Sequence, residues 1–149
     1  MHIMKILASN KRGRYDYAIT STLLAGISLL GPEVKSMKAG QTSLKGSFVN
    51  LVDGEAFLVG AHVSPYPPAQ QDSQPEPTRP RKLLLHRREL DRLMAERQAG
   101  FSIIPLAVGL ERNHIKVELG IGRGKKRYDK RQSIKSREVD REIKRRFKA

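Results

Sequence analysis

The sequence predicts an all-β domain with flanking helices, folded as an OB-like antiparallel β-barrel and followed by a basic C-terminal tail. Three observations carry this reading. Short stretches rich in Ile, Leu, Val, Thr and Tyr recur between Gly, Pro, Asn and Asp clusters. A two-residue hairpin signal, Asp53-Gly54, sits between two such stretches. The last 27 residues, Arg123 to Ala149, hold 13 Lys/Arg against four acids. At 149 residues the chain suits one domain plus an appendage. The expected division is a flexible N-terminus over 1–9, a barrel over 10–122 and the tail over 123–149.

Met1 to Ser9 shows no sustained period, and Asn10-Lys11-Arg12 interrupts its apolar residues before they reach the length of a signal peptide. Tyr15 to Leu30 is the first strand candidate, with Gly26 as a bulge or bend. Gly31-Pro32 ends it. Proline in a first helical turn followed by an acid then starts a short helix, Pro32 to Ala39, closed by Gly40. Ser47 to Val52 and Glu55 to Val63 flank the hairpin turn, and Phe48, Phe57 and Phe101 fall at strand spacing, which places them in the core. Residues 64–80 carry six prolines and are expected to form a long mobile loop, because proline cannot pair inside a sheet. Leu83 to Gln98 has apolar residues at 83, 84, 90, 93 and 94, the stripe of an amphipathic helix closed by Ala99-Gly100. Phe101 to Leu110 and His114 to Ile121 read as strands joined by Glu111-Arg112-Asn113; in the second, Ile115, Val117 and Leu119 alternate with Lys116 and Glu118.

The tail places Val139, Ile143 and Phe147 at helical spacing, with Arg141, Lys144, Arg145 and Arg146 around them. Three apolar residues do not offset chain entropy without a wall to pack on. The tail is therefore expected to be disordered when free and helical on a partner; docking of that helix on its own barrel is the alternative.

The formal net charge of +14 points to RNA, DNA or an anionic membrane surface. No apolar run approaches the 18 or so residues of a membrane span. With no cysteine there is no disulfide framework and no thiolate zinc site, which fits a cytoplasmic location. His2, His62, His86 and His114 lie in different segments without metal-ligand spacing, and no histidine–acid–nucleophile set can be assembled. Gly120-Ile121-Gly122-Arg123-Gly124 has neither the Walker nor the dinucleotide spacing. No catalytic residue, metal or cofactor is expected. The basic clusters Asn10-Lys11-Arg12-Gly13-Arg14 and Arg79-Pro80-Arg81-Lys82 would offer phosphate contacts if strand and helix starts converge on one rim, with Lys11, Arg12, Arg81 and Lys82 on it. With few rings left over from the core, recognition by shape and phosphate geometry is favoured over base-by-base readout.

Several strings taken together resemble the SsrA-binding protein family, small protein B of bacterial trans-translation. They are Asn10-Lys11-Arg12 with Tyr15-Asp16-Tyr17, Ala25-Gly26, Gly31-Pro32-Glu33-Val34-Lys35-Ser36, Asp53-Gly54-Glu55-Ala56-Phe57-Leu58, Arg81-Lys82-Leu83-Leu84-Leu85-His86, Lys116-Val117-Glu118-Leu119-Gly120, and Gly124-Lys125-Lys126 to Asp129-Lys130-Arg131. The resemblance implies an OB-like barrel that binds the tRNA-like domain of transfer-messenger RNA (tmRNA, or SsrA RNA) and delivers it to stalled 70S ribosomes. It implies a tail that folds as a helix in the empty mRNA channel near the small-subunit decoding centre, and a protein that is monomeric when free. The RNA-facing set it implies is Asn10, Lys11, Arg12, Lys35, Lys82, Leu84, His86, Lys125 and Lys126. The decoding-centre set is Tyr128, Asp129, Lys130 and Arg131, with Ile143 and Lys144 in the tail helix. Leu84 as core and Lys35 as a solvated helix charge stay open. The family often has an acid where this chain has Leu24; either that RNA contact is missing or another side chain such as Asp16 supplies it. A generic OB-fold RNA-binding protein and a binder of anionic membranes are the alternatives, the latter with a thin apolar face and no tryptophan.

Overall fold

A computed structural model of the chain describes residues 4–66 and 74–125. Alternation of inward apolar and outward polar side chains builds one seven-stranded antiparallel sheet, in the order β1-β8-β9-β2-β7-β5-β4. Its strands are β1 (Lys5–Ser9), β2 (Tyr17–Ile27), β4 (Phe48–Val52), β5 (Glu55–Val59), β7 (Arg81–Leu84), β8 (Ser102–Glu111) and β9 (His114–Gly124). A two-stranded pair, β3 (Thr42–Ser43) with β6 (His62–Val63), lies apart from it. The large sheet curls so that β4 approaches β8, and β3 approaches β1. This is the expected all-β, barrel-type architecture with flanking helices α1 (Lys11–Asp16), α2 (Gly31–Lys38) and α3 (Arg87–Gln98).

The two tight hairpins form where the turn residues accept positive φ. Asp53 and Gly54 have φ of 50° and 74°, and Arg112 and Asn113 have 47° and 69°; two such residues in succession match the twist of the flanking strands. Inside the curl lie Leu58, Leu83, Val108, Val117, Leu119 and Ile121, all buried, with Leu93 of α3 sealing one side. Each fully buried leucine contributes roughly 1.5–3 kcal/mol of transfer free energy.

Several expectations need correction. Residues 5–9 are not flexible: they pair with β8, Ser9 opposite Ala107. The first strand begins at Tyr17, because Asn10 caps a helix that takes up Tyr15 and Asp16. The bulge in β2 falls at Thr20, whose hydroxyl donates to the Ile121 carbonyl at 3.0 Å; Gly26 is regular and pairs with Lys116. The Leu83 helix starts four residues later, at Arg87, since Arg81–Leu84 is a strand with Leu83 inward and Leu84 outward. Gly120 to Gly124 is the end of β9, and a Cβ on Gly122 would strike the Ala18 carbonyl oxygen. The loop expected to be mobile over 64–80 is held at both flanks. The Tyr66 backbone exchanges two hydrogen bonds with the Gln74 side chain, and Val63 N–H donates to the Pro77 carbonyl at 2.9 Å. Its residues 67–73 lie outside the described residues.

Behind β7 sits a buried ion triad. Arg81 is fully buried and donates from Nε to Glu33 Oε2 at 2.6 Å, from Nη1 to the Ala61 carbonyl at 2.9 Å and from Nη2 to the Pro77 carbonyl at 2.9 Å. Arg79 donates from Nε to the same Glu33 oxygen at 3.0 Å and from Nη2 to Oε1. Glu33 also accepts the Leu30 amide at 2.9 Å, closing the first turn of α2. Arg81 is therefore a core residue rather than part of a rim. Burial works to raise the Glu33 carboxyl, but the hydrogen bonds from Arg79, Leu30 and Arg81 outweigh it and hold the group below its ordinary value of 4.5.

The sign of the pH dependence follows. A depressed folded value means the carboxylate's contribution is complete above about pH 4.5 and is lost as pH falls through the folded value. Glu33→Gln is expected to lower stability at pH 7 by about 3–5 kcal/mol, because it leaves Arg81 buried and uncompensated. Urea denaturation at pH 7 and pH 3 checks this; the gap between the wild type and the variant narrows at the lower pH.

Candidate nucleic-acid interface

Period-two alternation on β7 aims Lys82 and Leu84 outward, while Arg81 and Leu83 point into the core. The strand ends at Leu84, and two residues on stands His86, the exposed N-cap of α3, whose amide donates to Glu89 at 2.9 Å. Lys82, Leu84 and His86 thus line one open groove of about 650 Å³, together with Leu24, Gly26, Glu55 and Lys116. Lys82 Nζ lies 2.9 Å from Glu55 Oε1, with both side chains about half exposed. Leu84 is 53% exposed, which excludes it from the core. Gly26 leaves the floor low beside it: a Cβ there would stand 3.1 Å from Leu84 Cβ. Beyond Leu84 a further opening of about 380 Å³ is bordered by Val34, His114 and Lys116. Lys35, next along α2, is exposed and places Nζ 5.6 Å from the centroid of the Tyr66 ring.

The remaining expected residues gather at the far end of the β2–β9 ladder. Tyr17 pairs with Gly124, nine residues of β2 away from the Gly26–Lys116 pair, or roughly 30 Å at about 3.3 Å per residue. There Lys125 N–H donates to the Asp16 carbonyl at 2.8 Å, so the tail leaves the barrel beside α1. Lys11 is exposed, and Arg12 reaches Asp16 at 3.0 Å and the face of Tyr15 at 5.5 Å. Asn10 does not face outward as expected. It is 7% exposed, its Oδ1 accepts the Gly13 amide at 3.0 Å, and its Nδ2 donates to the Pro105 carbonyl at 2.8 Å. Both ends of the amide hold α1 on β8, so Asn10 positions Lys11 and Arg12. Lys126, Tyr128, Asp129, Lys130, Arg131, Ile143 and Lys144 lie outside the described residues.

Sequence reasoning missed Lys116, which lines the groove, and Glu118, two residues along on the same outward face, because alternation marks an outward face without saying which strands share it. Glu118 is the register partner of Leu24, so the two side chains stand on the same face. Glu118 accepts a hydrogen bond from Arg14 at 2.9 Å. The carboxylate nearest the position of Leu24 is therefore Glu118 and not Asp16, which binds Arg12 at the other end of the strand. The expectation that Phe48 is core is also corrected, since it is 51% exposed, whereas Phe101 packs against the core and Phe57 is partly buried. Adjacent apolar residues Phe48 and Val49 give no alternation from which to tell inward from outward, and Val49 took the inward place.

Two substitutions separate the kinds of contact this groove offers. Lys82→Ala is expected to weaken binding of a folded RNA and reduce the salt slope by about one, as for a single phosphate contact. Leu84→Ala is expected to weaken binding with the slope unchanged, since no ionic contact is removed. Filter binding at several salt concentrations reads both.

Residues 7–149 match the sequence-family model described as SmpB protein. The SsrA-binding protein of Roseiflexus sp. (strain RS-1) is 49% identical over 148 residues, covering 98% of this chain and 93% of that protein. The SsrA-binding protein of Shouchella clausii (strain KSM-K16) is 45% identical over 145 residues, with 97% and 92% covered. Among solved structures, a chain described under "tmRNA-SmpB: a journey to the center of the bacterial ribosome" superposes with a TM-score of 0.65 at 41% identity, covering 85% of this chain and 92% of that one. With a family model matched over nearly the whole chain and relatives at 45–49% identity, the chain belongs to the SsrA-binding protein (SmpB) family.

Proposed function

We infer that this chain binds the tRNA-like domain of tmRNA and carries it to stalled ribosomes as an RNA-binding protein of trans-translation, without catalysis of its own. The convergence of Lys82, Leu84 and His86 with Lys116 in one groove carries this reading. Lysines at 82 and 116 would meet phosphates, Leu84 would lie against a ribose or base face exposed at an RNA elbow, and His86 would donate from the helix start. A wide, open groove suits the surface of a folded RNA, which is recognised by shape and backbone more than by base edges. The protein would act in the cytoplasm, where its RNA and the ribosome are found, and among the described residues no helix is long and apolar enough to cross a membrane.

The tail supplies the second half of the activity in this reading. It begins at Lys125 next to α1, roughly 30 Å along the ladder from the groove. From there Lys126, Tyr128, Asp129, Lys130 and Arg131 would reach the small-subunit decoding centre, and the segment around Ile143 and Lys144 would become a helix in the empty mRNA channel. Its 12 basic residues from Lys125 onward suit a channel walled by phosphate.

Truncation after Arg123 tests this division of labour. Affinity for the isolated tRNA-like domain is expected to fall by less than about 2 kcal/mol, since only a few phosphate contacts go, while rescue of ribosomes stalled on truncated messages is abolished. A larger affinity loss, or retained rescue, would overturn the division. Replacing Lys125 and Lys126 together by Ala is expected to flatten the salt slope of RNA binding by about two.

A further inference from the structure

We propose that the cleft between α1, β4 and β8 holds one unstacked nucleotide of a single-stranded RNA, with its base against Phe48. The cleft has a volume of about 370 Å³ and lies away from the Lys82–Leu84–His86 groove. That size is near the lower end for ligand pockets, about 300–1,000 Å³, and suits one base with its phosphate rather than a duplex.

Its walls carry the chemistry that such a ligand requires. Phe48 stands on the rim with half of its surface in solvent. Phe101 forms another wall, and the Arg123 guanidinium lies 4.4 Å from the centroid of its ring, so a cation is already held flat against an aromatic face. Arg12 and Arg97 line the opening and are exposed. Asp16 is the one carboxylate among the lining residues, and Arg12 binds it at 3.0 Å, so the balance of the opening favours an anion. An aromatic face with guanidinium groups around it is the combination by which proteins hold single-stranded bases and their phosphates. The chain also leaves the barrel at this cleft, since Lys125 is hydrogen-bonded to Asp16, and a strand drawn to the basic tail would arrive at its mouth. The inference goes beyond the groove and requires no contact with a tRNA-like fold.

The test uses the full-length protein and a six-nucleotide single-stranded RNA carrying 2-aminopurine at its centre, a base whose fluorescence is quenched on stacking. The wild type is expected to quench it. Phe48→Ala is expected to abolish quenching and weaken the oligonucleotide about tenfold. Phe48→Tyr is expected to retain both properties, and Phe48→Leu to lose the quenching. Folded tRNA-like RNA is expected to bind all four proteins within twofold of one another. Unchanged quenching in Phe48→Ala would overturn the proposal, as would full recovery in Phe48→Leu, which would mean apolar packing rather than stacking. Competition by pyrophosphate as strong as by the oligonucleotide would reduce the site to simple anion attraction, and stronger competition by an acidic, aromatic peptide would make it a protein site; either overturns the proposal. Failure of the wild type to bind the folded RNA would defeat the proposed function and leave this result standing.

Discussion

The structure depends on one buried carboxylate. Glu33 is shared by two arginines, one of them without solvent contact, and through them it ties the start of α2 to the Pro77–Pro80 segment and to β7. The consequence reaches the surface because β7 is a strand. A slip of one residue would drive Lys82 into the core and turn Arg81 outward. A guanidinium that satisfies Glu33, Ala61 and Pro77 in a single position does not tolerate that slip. The registry of a charge inside the barrel therefore fixes which residues form the groove outside it.

The same economy appears at α1. Asn10 stands next to two cations and would pass for a third polar contact, yet its amide is spent on Gly13 and Pro105. Its effect on any ligand is indirect: it orients the six-residue helix from which Lys11 and Arg12 project. Buried anchoring groups and exposed cations thus alternate along the chain at both ends of the β2–β9 ladder, Asn10 before Lys11 and Arg81 before Lys82.

Much of this was legible from local chemistry. The Asp53-Gly54 turn, the Gly31-Pro32-Glu33 helix start and the β8–β9 hairpin rest on residues that are neighbours in sequence, so a short window contains the cause. What escaped depends on distant partners. Arg81 reads as one more surface charge until Glu33, 48 residues away, is placed beside it. Lys5–Ser9 becomes a strand only because β8, about a hundred residues on, offers an edge. Leu83-Leu84-Leu85 fits a helix or a strand equally well, and pairing with β2 and β5 decided for the strand. Among the candidate site residues, Lys82, Leu84 and His86 were found together as expected. Lys116 and Glu118 were not, because the sharing of a face by β7, β2 and β9 is a property of sheet order rather than of sequence.

The long β2–β9 ladder has a mechanical consequence. The groove borders one of its ends and the root of the tail is attached at the other, with nine register pairs from Tyr17–Gly124 to Gly26–Lys116 inclusive and Gly122 packed too closely on Ala18 to allow slack. A pair of hydrogen-bonded strands resists stretching and has no hinge at which to fold. The barrel therefore behaves as a spacer of fixed length, and the distance between the groove and the root of the tail is set by counting strand residues.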